Sequence, residues 1–212
     1  MTYMAAFGLA SGAGAKAFIP VLALGAAHYT PYFELSERFQ WIANPAVMVV
    51  LAVMVVLEIV IDAHPDFGRW TDTVSYLPKM VAGFIGFAAV VGTIDDDFAA
   101  LAASGLLGAG TAGGVHFIRN AIRRPFRTVA EDLHEGVGKL ASVTEAGVSL
   151  SLAGSALVVP PLSLLLLGGL VVAGIAVART VGRRRVSCGA CGQPIRPGAL
   201  VCVHCGAEQG QP

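Results

Sequence analysis

Gly8-Leu9-Ala10-Ser11-Gly12-Ala13-Gly14-Ala15-Lys16-Ala17-Phe18-Ile19-Pro20 sets small residues and one lysine inside an apolar run, 4–27, that is long enough to cross a bilayer. An unpaired ammonium at that depth is costly, so the fold must bring it an anion. Glu58, Asp62 and Glu145 lie inside or at the edge of other apolar runs. Glu58 is the nearest candidate by depth and Glu145 the next. Three readings of Lys16 stand side by side: a static ion pair that fixes helix packing, a charge exchanged or titrated during transport, and a side chain snorkelling to an interface.

Composition places the rest of the chain in the same solvent. Of 212 residues, 55% are hydrophobic and 13% charged, with a mean hydropathy of +0.71, well outside the range of a soluble domain. Fourteen basic and fourteen acidic residues cancel, which argues against a nucleic-acid partner and leaves the position of the charges as the informative quantity. No basic residue precedes the first apolar run and Lys16 interrupts it, so a cleaved signal peptide is not expected.

At about 20 apolar residues per span, six segments emerge: 4–27, 45–63, 77–94, 98–118, 140–159 and 162–178. A single helix kinked at Pro160-Pro161 is the alternative for the last two. Six spans place Arg69, Lys79, Arg119, Arg123, Arg124, Arg127, Lys139 and the Arg179–Arg185 cluster on one side, leaving Arg38 on the other. That asymmetry predicts a multi-pass protein of the inner (cytoplasmic) membrane with its N-terminus and its C-terminal tail in the cytoplasm. Asn44-Pro45 reads as an N-cap with proline at the first helical position.

The expected fold class is therefore an all-α polytopic membrane protein of about six transmembrane helices. Gly12-Ala13-Gly14 resembles Gly108-Ala109-Gly110, and two sets of three spans suggest a 3+3 inverted repeat; glycine-rich runs also align with one another by composition alone. Gly8, Gly12, Gly14, Gly108, Gly110 and Gly114 allow either close helix packing or a re-entrant backbone lining a polar cavity. His116 and Arg119 end the fourth span, where a histidine can relay protons or simply be a satisfied interfacial group. The pocket or transport candidates are Lys16, Glu58, Asp62, His116, Arg119 and Glu145. No Ser-His-Asp arrangement, phosphate-binding loop or His-Glu-x-x-His is present, so an enzyme is not expected.

All four cysteines lie in Cys188-Gly-Ala-Cys191 and Cys202-Val-His-Cys205, two knuckles each followed by glycine, Gly192 and Gly206. The spacing predicts one structural zinc ion held by four thiolates in a small ribbon at 188–207, after a membrane domain at 1–180 and a basic linker at 181–187, with a tail at 208–212. Iron and a redox dithiol are the alternatives. His204 lies inside a knuckle and is not expected to be a ligand.

Gly14-Ala15-Lys16-Ala17-Phe18-Ile19-Pro20, Trp41 with Asn44-Pro45, Glu58-x-x-x-Asp62-x-x-Pro65 and His116-x-x-Arg119 occur in an order that resembles the bacterial membrane family called domain of unknown function 4126. The resemblance covers about the first 180 residues and implies a small multi-span membrane protein without an assigned activity; the cysteine tail looks like an appended zinc ribbon. The leading expectation is a transporter or permease for a small solute. The competitor is a membrane scaffold whose ribbon recruits a cytoplasmic protein. The lipid bilayer is the first partner in either case, and glycine-lined faces are compatible with a homo-oligomer.

Overall fold

The computed structural model describes residues 2–31, 33–63, 73–92, 97–130, 136–183, 186–195 and 201–208. Arg69, and Arg184 and Arg185 of the expected basic cluster, lie outside the described residues. Among those described, the chain is mostly helical: α1 (Thr2–Ala15), α2 (Phe18–Ala27), a 3-10 helix (Glu37–Ala43), α3 (Pro45–Ala63), α4 (Tyr76–Val91), α5 (Phe98–Ala130), α6 (Gly136–Val158) and α7 (Pro160–Arg183). Two short strands follow, β1 (Val186–Ser187) and β2 (Pro194–Ile195). The polypeptide divides into two compact units, 1–171 and 172–212.

The glycine-rich run does not make one span. A Cβ added to Gly12 would meet Pro20 Cγ at 3.1 Å, and Gly86 of α4 faces both Leu9 and Leu24 at 3.9 and 4.0 Å. In a straight helix residues 12 and 20 would be about 12 Å apart along the axis. α1 and α2 are therefore the two arms of a hairpin, with Lys16 and Ala17 at its tip. The Lys16 amide still bonds the Gly12 carbonyl at 3.0 Å, closing α1. Pro20, near the start of α2, carries no N–H, so the break exposes one fewer donor than it would in another sequence.

Small residues let α1 sit at the centre of the first unit. Its Ala5, Ala6, Leu9, Ala10 and Ala13 are all buried, alongside Phe87 of α4, Ala112 of α5 and Ala153 and Ala156 of α6. A Cβ on Gly14 would lie 2.6 Å from the Ala112 carbonyl oxygen, and one on Gly83 would lie 2.5 Å from Ala112 Cβ and 2.6 Å from the Gly108 carbonyl oxygen. Backbones meet at these points because no side chain keeps them apart. Gly110 and Gly114 instead face open space.

The contacts fix the direction of each helix. Phe7 packs edge-on against Phe87, Gly8 faces Ala156, Gly12 faces Ser149, and Gly14 faces Ala112 and Val115. α4 and α6 thus run antiparallel to α1 and α5 runs parallel to it. The start of α1 lies at the end of the bundle occupied by Val91, Phe98 and Val158; Lys16 lies at the other end, with Asp62, Lys79, Arg119 and Ser142.

Three expectations are corrected by this arrangement. Residues 4–27 form a hairpin rather than a single span. The start of α1 lies at the opposite end of the unit from Arg119, not on the same side. The two glycine runs are not related by inversion, since α1 and α5 are parallel, and α5 continues unbroken through Gly108–Gly114 while α1 stops. The physical difference is that no proline follows the second run until Pro125, so nothing there interrupts the ladder.

Ala156 and Ser163 both approach the Gly8 position, at 2.7 and 2.8 Å from a Cβ built there. Seven residues of straight helix would separate them by about 10 Å. The chain therefore turns sharply at Val159-Pro160, and 140–178 is two helices.

Among the described residues two helices, Pro45–Ala63 and Phe98–Asn120, are long and apolar enough to cross a membrane. In α3 only Asp62 is buried, while Val49, Val50, Val53, Val56, Leu57, Val60 and Ile61 are exposed. A contiguous apolar face of this extent calls for a non-aqueous neighbour. Asn44 opens the helix as its spacing predicts, its Oδ1 accepting the Ala46 N–H at 2.9 Å.

In the second unit β1 pairs antiparallel with β2, Val186 opposite Ile195, and Val201 bridges Glu208. Cys188, Ile195 and Cys202 are its buried cluster. Among the described residues, that is little apolar surface for so short a segment to fold on alone.

Candidate functional site

Ionisable side chains from four parts of the first unit converge at the hairpin tip. Lys16 is fully buried, and its Nζ donates to Asp62 Oδ2 at 2.6 Å and to Ser142 Oγ at 3.2 Å. Ser142 in turn donates to the Ile59 carbonyl at 3.0 Å. Arg119 of α5 donates through Nη2 to the same Asp62 oxygen at 2.9 Å and to Glu145 of α6. The result is a continuous chain, Lys16–Asp62–Arg119–Glu145, tying the hairpin to α3, α5 and α6.

Asp62 answers Lys16, where depth along a single span predicts Glu58. Asp62 lies one helical turn farther along α3 than Glu58. Glu58 serves the backbone instead. Its Oε1 accepts the Ala17 N–H at 2.9 Å and its Oε2 is 3.5 Å from the Phe18 nitrogen. A carboxylate borrowed from a neighbouring helix thus caps the amides that the break leaves without helical acceptors and complements the positive end of α2. Ser149 secures the other arm, donating to the Gly12 carbonyl at 2.9 Å.

A second buried polar group is not legible in the sequence as such. Lys79, which the charge pattern places among the surface cations, is 1% exposed. Its Nζ lies 3.0 Å from His116 Nδ1, and His116 Nε2 lies 3.2 Å from the Asn120 amide nitrogen. The Tyr76 ring packs edge-on against His116 with centroids 4.4 Å apart. The available signal is that Lys79 is the third residue of an apolar run, and so interrupts it as Lys16 does. Ser142, Ser149 and Asn120 carry no comparable signal.

Beside this cluster is a cavity of about 170 Å³ lined by Glu58, Asp62 and Lys79 with Phe18, Leu57 and Pro78 among its apolar walls. Of the sequence candidates, Glu58 and Asp62 line it; Lys16, His116, Arg119 and Glu145 do not. Lys16 is sealed among side chains. Four of the six candidate glycines, Gly8, Gly12, Gly14 and Gly108, are sites of close packing, and none of the six lines this cavity.

The four cysteines form a separate centre in the second unit. Their sulfurs lie within 4.8 Å of one another, with Cys188 and Cys205 3.8 Å apart and Cys191 and Cys202 3.7 Å apart. The two knuckles repeat one geometry. The Ala190 N–H points at Cys188 Sγ and the His204 N–H at Cys202 Sγ, each at 3.4 Å. Gly192 and Gly206 then take φ values of 71° and 70°, a conformation that favours glycine. Amides of Cys191 and Ala190 hold the Cys188 thiol down to about 6. At Cys191 the Gln193 amide acts in the same sense, but desolvation and the crowding thiols of Cys205, Cys188 and Cys202 push it up to about 12. Ionising all four sulfurs so close together would need a cation between them, so the group can hold a metal ion.

A family model described as "Domain of unknown function (DUF4126)" matches residues 3–180, which include both helices long enough to cross a membrane and the whole Lys16–Glu145 network. No curated protein and no solved structure matches the chain.

Proposed function

We propose that this chain, which belongs to the DUF4126 family, is a small non-enzymatic permease of the cytoplasmic membrane, with its solute site in the cavity beside Glu58, Asp62 and Lys79. The observation that carries this reading is the juxtaposition of that cavity with a helix broken within a bundle of apolar helices. Irregular backbone among apolar helices persists only where protein or a cavity satisfies it, and transporters commonly place solutes at such breaks. The Lys16–Asp62–Arg119–Glu145 chain is then the latch that holds the hairpin tip against α3, α5 and α6.

The positive-inside rule supports a cytoplasmic location for the tip, since it lies at the same end of the first unit as Arg119, and the basic residues 123–127 follow Arg119 along α5. The hairpin enters and leaves from the opposite side, and α3 to α7 supply five crossings, in place of six spans. Arg179 and Arg183–Arg185 then precede a cytoplasmic tail.

In that tail the metal is zinc. A tetrahedron with Zn–S bonds of about 2.3 Å has edges of about 3.8 Å, and the sulfur pairs above match it. Four cysteines leave no open position, so the ion is structural.

The test is osmotic. Vesicles carrying the protein, shrunk and then allowed to reswell in a panel of small polar solutes, should reswell faster than empty vesicles for at least one member. Glu58→Gln combined with Lys79→Met should abolish the difference. Failure across the whole panel overturns the permease.

One observation favours a second reading. Lys16 is sealed from the cavity, as a static ion pair would be. A scaffold that recruits a cytoplasmic protein through the ribbon is what remains if no solute crosses.

A further inference from the structure

Glu58 and Lys79 both line the cavity between α3 and α4, yet they do not touch. Glu58 turns toward the Ala17 and Phe18 amides, and the side-chain partner of Lys79 is His116. Asp62, the other carboxylate in the wall, is engaged by Lys16 and Arg119. An ammonium carries three donors and a carboxylate about four acceptor positions. Both groups therefore face the same space with hydrogen-bonding capacity unspent, a state that is unfavourable for Lys79, which is buried, and to a lesser degree for the half-buried Glu58.

The chemistry of the occupant follows from what would satisfy both walls. A simple anion answers Lys79 and repels Glu58; a simple cation does the reverse. An acyl chain answers neither. The surrounding charges, Lys16, Arg119 and Lys79 against Glu58, Asp62 and Glu145, already balance, so an occupant with no net charge keeps the site neutral. The volume sets the size. About 170 Å³ is many times the ~10–15 Å³ that admits one water and below the ~300 Å³ at which pockets for drug-sized ligands begin.

We infer that the α3–α4 cavity binds a small zwitterion of amino-acid size, with its ammonium against Glu58 and its carboxylate against Lys79. Ser75, also in the wall, offers a hydroxyl, while Phe18, Met54 and Pro78 leave room for only a short apolar side chain. The inference deepens the permease reading by naming the solute class, and rests on that reading only for the statement that the solute then crosses.

The full-length protein in lipid nanodiscs, titrated calorimetrically with glycine, alanine, acetate and methylammonium, tests it. Glycine or alanine should bind, with acetate and methylammonium at least ten-fold weaker. Lys79→Met should weaken the zwitterion ten-fold or more and spare methylammonium; Glu58→Gln should weaken it and spare acetate. Equal binding of the halves, or heat from none of the four compounds, as a cavity filled by water alone would give, overturns the inference. Should Lys79→Met not fold, Lys79→Arg keeps the charge and crowds the cavity; unchanged glycine affinity in that variant overturns it too. Zwitterion binding without reswelling removes the permease and leaves the site. Reswelling in another solute without zwitterion binding does the opposite.

Discussion

The hairpin tip and the cysteine tail solve one electrostatic problem in opposite ways. At the tip, groups of both signs are gathered in a place with little water, and the chain supplies the counter-charges itself: Asp62 for Lys16 and Arg119, Glu145 for Arg119, Glu58 for two backbone amides. In the tail, four sulfurs that carry one sign when ionised are gathered within 4.8 Å of one another. The first region pairs Lys16, Asp62, Arg119 and Glu145 from within the chain. The second can hold a metal ion, which would come from outside, so the two should respond to different perturbations.

Removing metal is the largest such perturbation. Structural zinc contributes about 10–16 kcal/mol of apparent binding free energy to small cysteine sites at neutral pH, far more than Cys188, Ile195 and Cys202, the buried cluster among the described residues of the tail, can offer. A chelator under reducing conditions should collapse the amide chemical-shift dispersion of 186–208 while leaving helical circular dichroism within a few per cent. The pH dependence has a definite sign. Metal binds the deprotonated sulfurs, so protons compete with it and occupancy falls as pH falls. Cys188, held down to about 6, keeps its thiolate longest, whereas Cys191 needs the ion to ionise at all near neutrality. Metal content that is independent of pH between 7 and 5 would contradict this account.

Breaking the tip from within comes next. Asp62→Asn removes the carboxylate that lies between Lys16 and Arg119, while Glu145, at the far end of the chain, still pairs with Arg119. Removal of one partner from a buried charge pair typically costs about 3–5 kcal/mol. Lys16→Met should cost less, because Asp62 keeps Arg119 at 2.9 Å. Unfolding in a mild denaturing detergent should rank wild type above Lys16→Met above Asp62→Asn, with metal content of the tail unchanged in all three. The reverse order of the two variants would mean that Asp62 is not the hub.

How much of this is legible in the sequence follows from range. The bounds of α3 are readable because Asn44, Pro45 and a continuous apolar run are local signals, and the tail because two short spacers and two glycines specify it without reference to the rest of the chain. That Lys16 needs a carboxylate is also readable, since burial alone demands it. Which carboxylate is not. Choosing Asp62 over Glu58 requires knowing that the chain reverses at Ala17, and the cue for reversal, Pro20 after a glycine run, is equally consistent with a kinked single span. Lys79 misleads for the same reason: a cation near the end of an apolar run looks like an interfacial anchor until the histidine on α5 is placed against it.

Steric perturbation of the tip's support is smaller again. Gly83→Val puts a branched side chain where a Cβ alone would already lie 2.5 Å from Ala112 and 2.6 Å from the Gly108 oxygen, and overpacking of this kind costs about 1–3 kcal/mol. Gly114→Val, on a face with nothing within 4 Å, should be close to neutral. Equal effects at the two positions would show that close approach of α4 and α5 is not what orders them.

The smallest effect should come from Glu58→Gln, and its smallness is informative. The amide oxygen of glutamine can still accept the Ala17 N–H, so the cap persists and the loss is confined to the charge at the start of α2, a change of about 1 kcal/mol or less. Glu58→Leu removes the acceptor altogether and strands two amides in an apolar setting, where each unsatisfied group costs about 1–3 kcal/mol. The gap between the two variants in detergent unfolding measures how far the broken helix relies on an acceptor from α3, independently of anything the cavity binds. If glutamine and leucine destabilise the fold equally, the carboxylate's charge rather than its cap holds the tip, and the tip would then resemble the tail more closely than the geometry implies.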